Sequence, residues 1–118
     1  QLLFEHSDEG DAEGLGRLPG RVSRLPASPQ APTPHMGWTK IERAQDNPLL
    51  EGLDPDSYAY FVHSFVCPNS DATIAVARYG ATFPAMVARG NIFGCQFHPE
   101  RSGAVGARIL QIFLSLPC

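Results

Sequence analysis

Several things are scarce in this sequence, and each scarcity removes a class of function. Basic residues are few and scattered: nine Lys and Arg stand against twelve Asp and Glu, for a net charge of −3. Nucleic-acid faces and membrane-surface patches are written as clustered positive charge, so neither partner is expected. No apolar run approaches the ~20 residues that span a bilayer. The opening "QLLFEHSDEG" lacks the basic start and long apolar core of a secretory signal. Cysteine is sparse and odd in number. Cys67, Cys95 and Cys118 follow no metal-type spacing and read as free thiols in a reducing cytoplasm. No H-x-x-x-H or C-x-x-C spacing joins His35, His63 and His98, so neither a metal nor another cofactor is expected. "GLGRLPG", Gly14 to Gly20, is not a dinucleotide loop. Its third Gly is one position late, no strand precedes it, and Pro19 opposes a helix there.

An N-cap is missing too. "QLLFEH" is helix-favouring from its first residue, with no Ser, Thr, Asp or Asn ahead of it. Residues 1–6 therefore read as the inside of a helix, and the chain as starting within a larger fold.

What is present is a core. With 118 residues and 43% hydrophobic content, one domain is the expectation. The polar, Gly-rich "SDEGDAEGLG" is loop, and "GRVSRLP" a short strand. Pro26, Pro29, Pro32 and Pro34 force an extended loop before the strand "HMGWTKI". "PLLEGL" fits one helical turn. "SYAYFVHSFVC" is aromatic, β-branched and a strand; "TIAVARYG", "FPAMVARG" and "NIFGCQFH" are three more, turning at Gly80 and Gly90. Ser102 can cap a final helix whose Val105, Ile109, Ile112, Phe113 and Leu116 share a face. A strand-rich middle between helical ends suits an α/β domain with antiparallel members in its sheet.

"CQFHPERSG", Cys95 to Gly103, carries the chemistry. Alternation along an extended segment puts Gln96, His98 and Glu100 on one side, and Cys95 and Phe97 on the other. Pro99 holds His98 extended. Glu100 can then accept from one ring nitrogen of His98 and leave the other free as a general base. The same pair can equally pin a strand end to a helix. A base needs a nucleophile, and none is evident. Cys95 has the wrong parity, Cys67 is unsupported, Cys118 is terminal, and no strand–turn–helix elbow surrounds any Ser or Cys.

Four segments occur together and in order: "QLLFEHSDEG" with "GLGRLPGRVSR", then "PHMGW", "YFVHSF" and "GCQFHPERSG". In these the chain resembles the glutamine amidotransferase subunit of imidazole glycerol phosphate synthase, across essentially all 118 residues. The "QFHPE" element by itself is similar to class I glutamine amidotransferases in general, so another enzyme of that class, or an inactive fragment, is the alternative. The resemblance implies an α/β, flavodoxin-like fold with a mixed sheet, incomplete at its N-terminus, with residues 1–118 the C-terminal part of one domain.

It also implies a Cys-His-Glu triad, with His98 and Glu100 as its His and Glu. Gln1 matches the end of the nucleophile elbow, so the Cys would lie four positions earlier and this chain alone would be inactive. Gln1, Ser64 and Phe65 match residues that hold the glutamine substrate, the last two through backbone groups. His35, Trp38, Tyr60 and Arg101 match positions facing a barrel-shaped cyclase subunit that receives ammonia. Three positions depart from the family: Arg101 replaces a usual Lys, Thr39 a frequent Asn, and Arg17 an apolar residue.

Overall fold

A computed structural model describes residues 1–117. The element order begins with β1 (Phe4–Ser7), a 3₁₀ turn at Glu9–Asp11, β2 (Ala12–Glu13) and β3 (Leu18–Arg24). After the proline loop come β4 (His35–Lys40), β5 (Glu42–Arg43) and a 3₁₀ turn at Pro48–Leu50. Then follow β6 (Tyr58–His63), β7 (Phe65–Val66), β8 (Thr73–Arg78), β9 (Thr82–Arg89) and β10 (Ile92–Cys95). A 3₁₀ turn at Pro99–Arg101 leads into the helix α1 (Gly103–Ser115).

The strands form two four-stranded sheets, ordered β2-β1-β3-β7 and β10-β9-β8-β5, and a two-stranded ribbon, β4-β6. The first sheet is mixed: β1 runs parallel to β3, while β2 and β7 are antiparallel to their neighbours. The expected mixed sheet is therefore present.

The expected helix at residues 1–6 is not. Phe4–Ser7 is a strand, with Phe4 paired to Leu18 and both side chains about 1% exposed. The helical propensity of "LLFEH" loses to burial beside Leu18 and Val22, as tertiary packing routinely overrides local preference. The long strand expected over "SYAYFVHSFVC" is also interrupted. Ser64 separates β6 from β7, and its carbonyl accepts from the Leu25 N–H at 2.9 Å.

One apolar cluster fills the space between the ribbon, the second sheet and α1. Phe61, fully buried on β6, meets Phe83 and Phe97 edge-on at 5.8 and 5.6 Å. Ile109 brings α1 onto the same cluster, with Val105, Ile112 and Leu116 partly buried beside it, as the helical spacing predicts. Phe113 instead lies at the rim, 46% exposed and edge-on to Phe93. Gly106 lets α1 approach: a Cβ there would fall 1.9 Å from the Pro99 carbonyl oxygen. That close approach seats the start of α1 directly on the segment that carries His98.

Candidate active site

Backbone hydrogen bonds fix His98 before its side chain is considered. Its N–H donates to the Tyr60 carbonyl at 3.0 Å, and its carbonyl accepts from the Arg101 N–H at 3.0 Å. Ser102 completes the clamp. Its hydroxyl donates to the His98 carbonyl at 2.7 Å and accepts from the Tyr60 N–H at 2.9 Å. Ser102 occupies the N-cap position of α1, but its side chain makes no cap hydrogen bond. The expected cap is thus corrected: the hydroxyl is spent on tying His98 to β6. Ser102 is a site residue that sequence reasoning missed, because "RSG" before a helix reads as a cap and nothing local announces the contact to Tyr60.

His98 is extended, with φ −95° and ψ 99°, as a residue before Pro should be. Glu100 does not continue the strand; it sits in the 3₁₀ turn, and this turn folds its carboxylate back to Nδ1 of His98 at 2.8 Å. The expected pair forms, by a tighter route than strand alternation. Both side chains are open to solvent. The Glu100 carboxyl is held below the usual carboxylate range, first by its own backbone N–H, then by His98 and Arg101. A carboxylate on Nδ1 requires that nitrogen to carry the proton, which leaves Nε2 of a neutral ring with a free lone pair. Such a ring can take a proton from a thiol or a water and return it to a leaving group.

Phe97 is buried while Cys95 is exposed, so the two do not share one environment. The Cys95 thiol leans back on the Phe97 carbonyl at 3.4 Å. Protein atoms packed around its sulfur, together with the Glu100 carboxylate, push it up to about 11. Burial likewise pushes the Cys67 thiol up. Thiols in that state are protonated near neutral pH and make poor nucleophiles. Cys118 lies outside the described residues.

Gln1 and Phe65 come together. The Gln1 side-chain N–H₂ donates both to the Phe65 carbonyl and to Oε1 of Gln96, each at 2.9 Å. Because the Phe65 carbonyl can only accept, the assignment of the Gln1 amide nitrogen follows, and the amide oxygen is not used in either bond. Gln96 stands two residues before His98 along the chain. Gln1, Gln96, Cys95 and Cys67 line one cleft of about 160 Å3 with Phe4 and Met86. Ser64 sits at the bend between β6 and β7, beside Phe65.

The four partner-facing candidates separate. Trp38 and Tyr60 are paired across the ribbon, rings edge-on at 6.0 Å, and Trp38 is 57% exposed. Arg101 is exposed in the turn beside His98. His35 is corrected: it is 1% exposed, because alternation along β4 turns it inward with Thr39 while Met36 and Trp38 face out. Packed near-parallel to Tyr79 and Phe61, at 4.0 and 5.0 Å, it has no surface to offer a partner. Among the described residues, no group of three His, Cys, Asp or Glu side chains is placed to hold a metal ion. Among the described residues, no helix is long and apolar enough to cross a membrane.

The family model for glutamine amidotransferase class I matches residues 10–115. The chain belongs to the class I glutamine amidotransferase family. Among the relatives of this chain, "Imidazole glycerol phosphate synthase subunit HisH" of Xylella fastidiosa strain Temecula1 is 49% identical over 116 residues. The proteins of the same name from Prochlorococcus marinus MIT 9313 ("HisH 2") and Idiomarina loihiensis are 50% and 47% identical over 119 and 116 residues. In each case 98% of this chain is aligned, against 58%, 55% and 58% of the respective relative. The chain thus spans a little over half the length of the curated relatives it matches.

Proposed function

We propose that the protein containing these residues is the glutaminase subunit of an imidazole glycerol phosphate synthase, a cytoplasmic enzyme of histidine biosynthesis. Residues 1–118 form part of its single amidotransferase domain. The observation that carries this reading is the His98–Glu100 pair, clamped to β6 through Ser102 and open on its Nε2 side. The likeness to HisH proteins over 98% of the chain supports the specific acceptor.

Glutamine hydrolysis then proceeds by thiol chemistry. A thiolate attacks the carboxamide carbon, and backbone N–H groups stabilise the tetrahedral oxyanion. The amide C–N bond breaks as His98 Nε2–H protonates the departing nitrogen, giving ammonia and a thioester. His98 then takes a proton from water, whose oxygen attacks the thioester to release glutamate and the thiol. The raised Cys67 and Cys95 thiols fit this role poorly, and the nucleophile we assign is the cysteine that the resemblance puts outside residues 1–118. Gln1, through its amide, and the backbone at Ser64 and Phe65 hold the glutamine. With the Phe65 carbonyl already engaged by Gln1, that residue's contact with glutamine uses other backbone atoms.

Ammonia passes to a barrel-shaped cyclase subunit, in a heterodimer with a lyase outcome. The face offered to that partner is the outer side of the ribbon. Met36, Trp38 and Tyr58 are 61, 57 and 49% exposed there, and apolar exposure of this kind marks an interaction surface. Arg101 adds a charge at its rim.

The test is glutamate release from glutamine by the full-length protein mixed with the cyclase. A glutamine analogue carrying a thiol-reactive group is then used to map the labelled cysteine. Labelling at a cysteine outside these residues is expected. Labelling confined to Cys67 or Cys95 contradicts the assignment.

A further inference from the structure

Behind the exposed ribbon lies a second polar assembly that the mechanism above does not use. Nδ1 of His63 lies 2.9 Å from the Phe65 carbonyl, Nε2 of His63 lies 2.9 Å from Nδ1 of His35, and Nε2 of His35 lies 2.8 Å from the Thr39 hydroxyl. Both histidines are buried, and they face each other in register across β4 and β6. Four groups in a row, each within hydrogen-bond reach of the next, run from the ribbon to the bend at residue 65.

The direction of every bond in this row is fixed by its last member. A carbonyl only accepts, so His63 Nδ1 carries a proton. In a neutral His63 the other nitrogen then accepts, so His35 Nδ1 must donate. His35 Nε2 in turn accepts, and the Thr39 hydroxyl supplies the proton. Burial favours this state, since it holds His63 low and His35 down at about 4. The Phe65 carbonyl ends up with both lone pairs filled, one by His63 and one by Gln1.

We propose that Thr39, His35 and His63 form a positioning chain that fixes the Phe65 main chain and the Gln1 amide, and so sets glutamine affinity without touching glutamine. The proposal rests on the functional reading above for what Gln1 and the residue 64–65 backbone bind. Thr39 lies on the same strand as Trp38, so the chain begins in the ribbon that faces the partner and ends at the substrate group. These three are positioning residues. His98, oriented by Glu100, remains the group that moves protons.

Two arms test this, both in the full-length protein. In the first, nitrogen NMR of ¹⁵N-histidine-labelled protein reads the tautomers, with His35→Gln and His63→Gln used for assignment. Both rings should carry their proton on Nδ1, the less favoured form of free imidazole. An Nε2–H tautomer in either ring overturns the chain. In the second, glutamine turnover is measured with the cyclase present. Thr39→Val should raise KM for glutamine about tenfold while kcat stays within about twofold, and Thr39→Ser should restore KM. A KM within twofold of wild type in Thr39→Val, or an equal loss in Thr39→Ser, overturns the role. A wild-type protein that releases no glutamate overturns the functional reading and the role in turnover with it, while the tautomers still decide whether the chain exists.

Discussion

Two histidine pairs occupy this small domain, and they are opposites. His98 and Glu100 stand in solvent at the end of a strand, held by backbone clamps, with one ring nitrogen unsatisfied. His35 and His63 lie under Phe61, Tyr79 and Phe83 with all four ring nitrogens engaged. The first arrangement leaves a proton acceptor available and contributes little to stability, as expected of an exposed pair. The second spends every nitrogen on internal bonds and must stay neutral to remain buried. The same side chain is thus open to proton exchange in one place and held as a strut in the other. The environment makes the difference: a turn after Pro99 in one case, inward alternation on β4 and β6 in the other.

The largest expected effect breaks both pairs at once. Phe61 packs on His35 and His63 and, through Phe97, braces the segment leading to His98. Phe61→Ala should cost about 3–5 kcal/mol, read by chemical unfolding of the full-length protein, and remove activity with stability. Phe61→Leu should cost much less and keep activity, which checks that the loss comes from the cavity.

Next, Ser102→Ala should loosen only the exposed pair. It leaves the His98 carbonyl and the Tyr60 N–H without the hydroxyl, at about 1–3 kcal/mol. Glutamine turnover should fall by more than this stability loss explains, because His98 is no longer aimed.

pH separates the pairs by window: both lose stability as pH falls, the buried pair first. His35 has a folded-state value near 4, below its ordinary 6.5, and His63 is lowered too. The unfolded chain therefore binds more protons between these limits. The stability these groups contribute is full above about pH 6.5 and is lost as pH falls toward 4, by up to about 1.4 kcal/mol per pH unit for His35. Thermal melts between pH 7 and 4.5 should show this, and His35→Gln should flatten the slope. The lowered Glu100 acts at lower pH: its contribution is present above the ordinary carboxylate range and lost only below it.

The smallest effect is expected at Arg101. It is exposed, so Arg101→Lys should change stability by less than about 0.5 kcal/mol. A measurable change in cyclase affinity would show that the guanidinium geometry matters at the rim.

The exposed pair was legible in the sequence because its parts are adjacent. Pro99 restricts His98, and Glu100 is two residues away, so local rules suffice. The ribbon strands and α1 were legible for the same reason, through period and turn residues. The buried chain was not. His35 and His63 are 28 residues apart and meet only through the register of β4 against β6, which no local pattern encodes. The resemblance therefore grouped His35 with Trp38 as partner-facing, although alternation separates the two. Residues 1–6 failed for a related reason. Their helical composition says nothing of the parallel partner, Leu18–Arg24, that makes Phe4–Ser7 a strand.

The division of labour between the two pairs is tested most directly by carrying His98→Ala and His63→Gln side by side through one experiment. The full-length protein and each variant are assayed for glutamate release with the cyclase present and for thermal unfolding. His98→Ala should lose at least about a hundredfold in kcat with a melting temperature close to wild type. His63→Gln should melt several degrees lower and bind glutamine more weakly, yet keep most of its kcat. A His98→Ala protein that still releases glutamate at the wild-type rate, or a His63→Gln protein that is fully stable but catalytically dead, would contradict the assignment of chemistry to the exposed pair and support to the buried one.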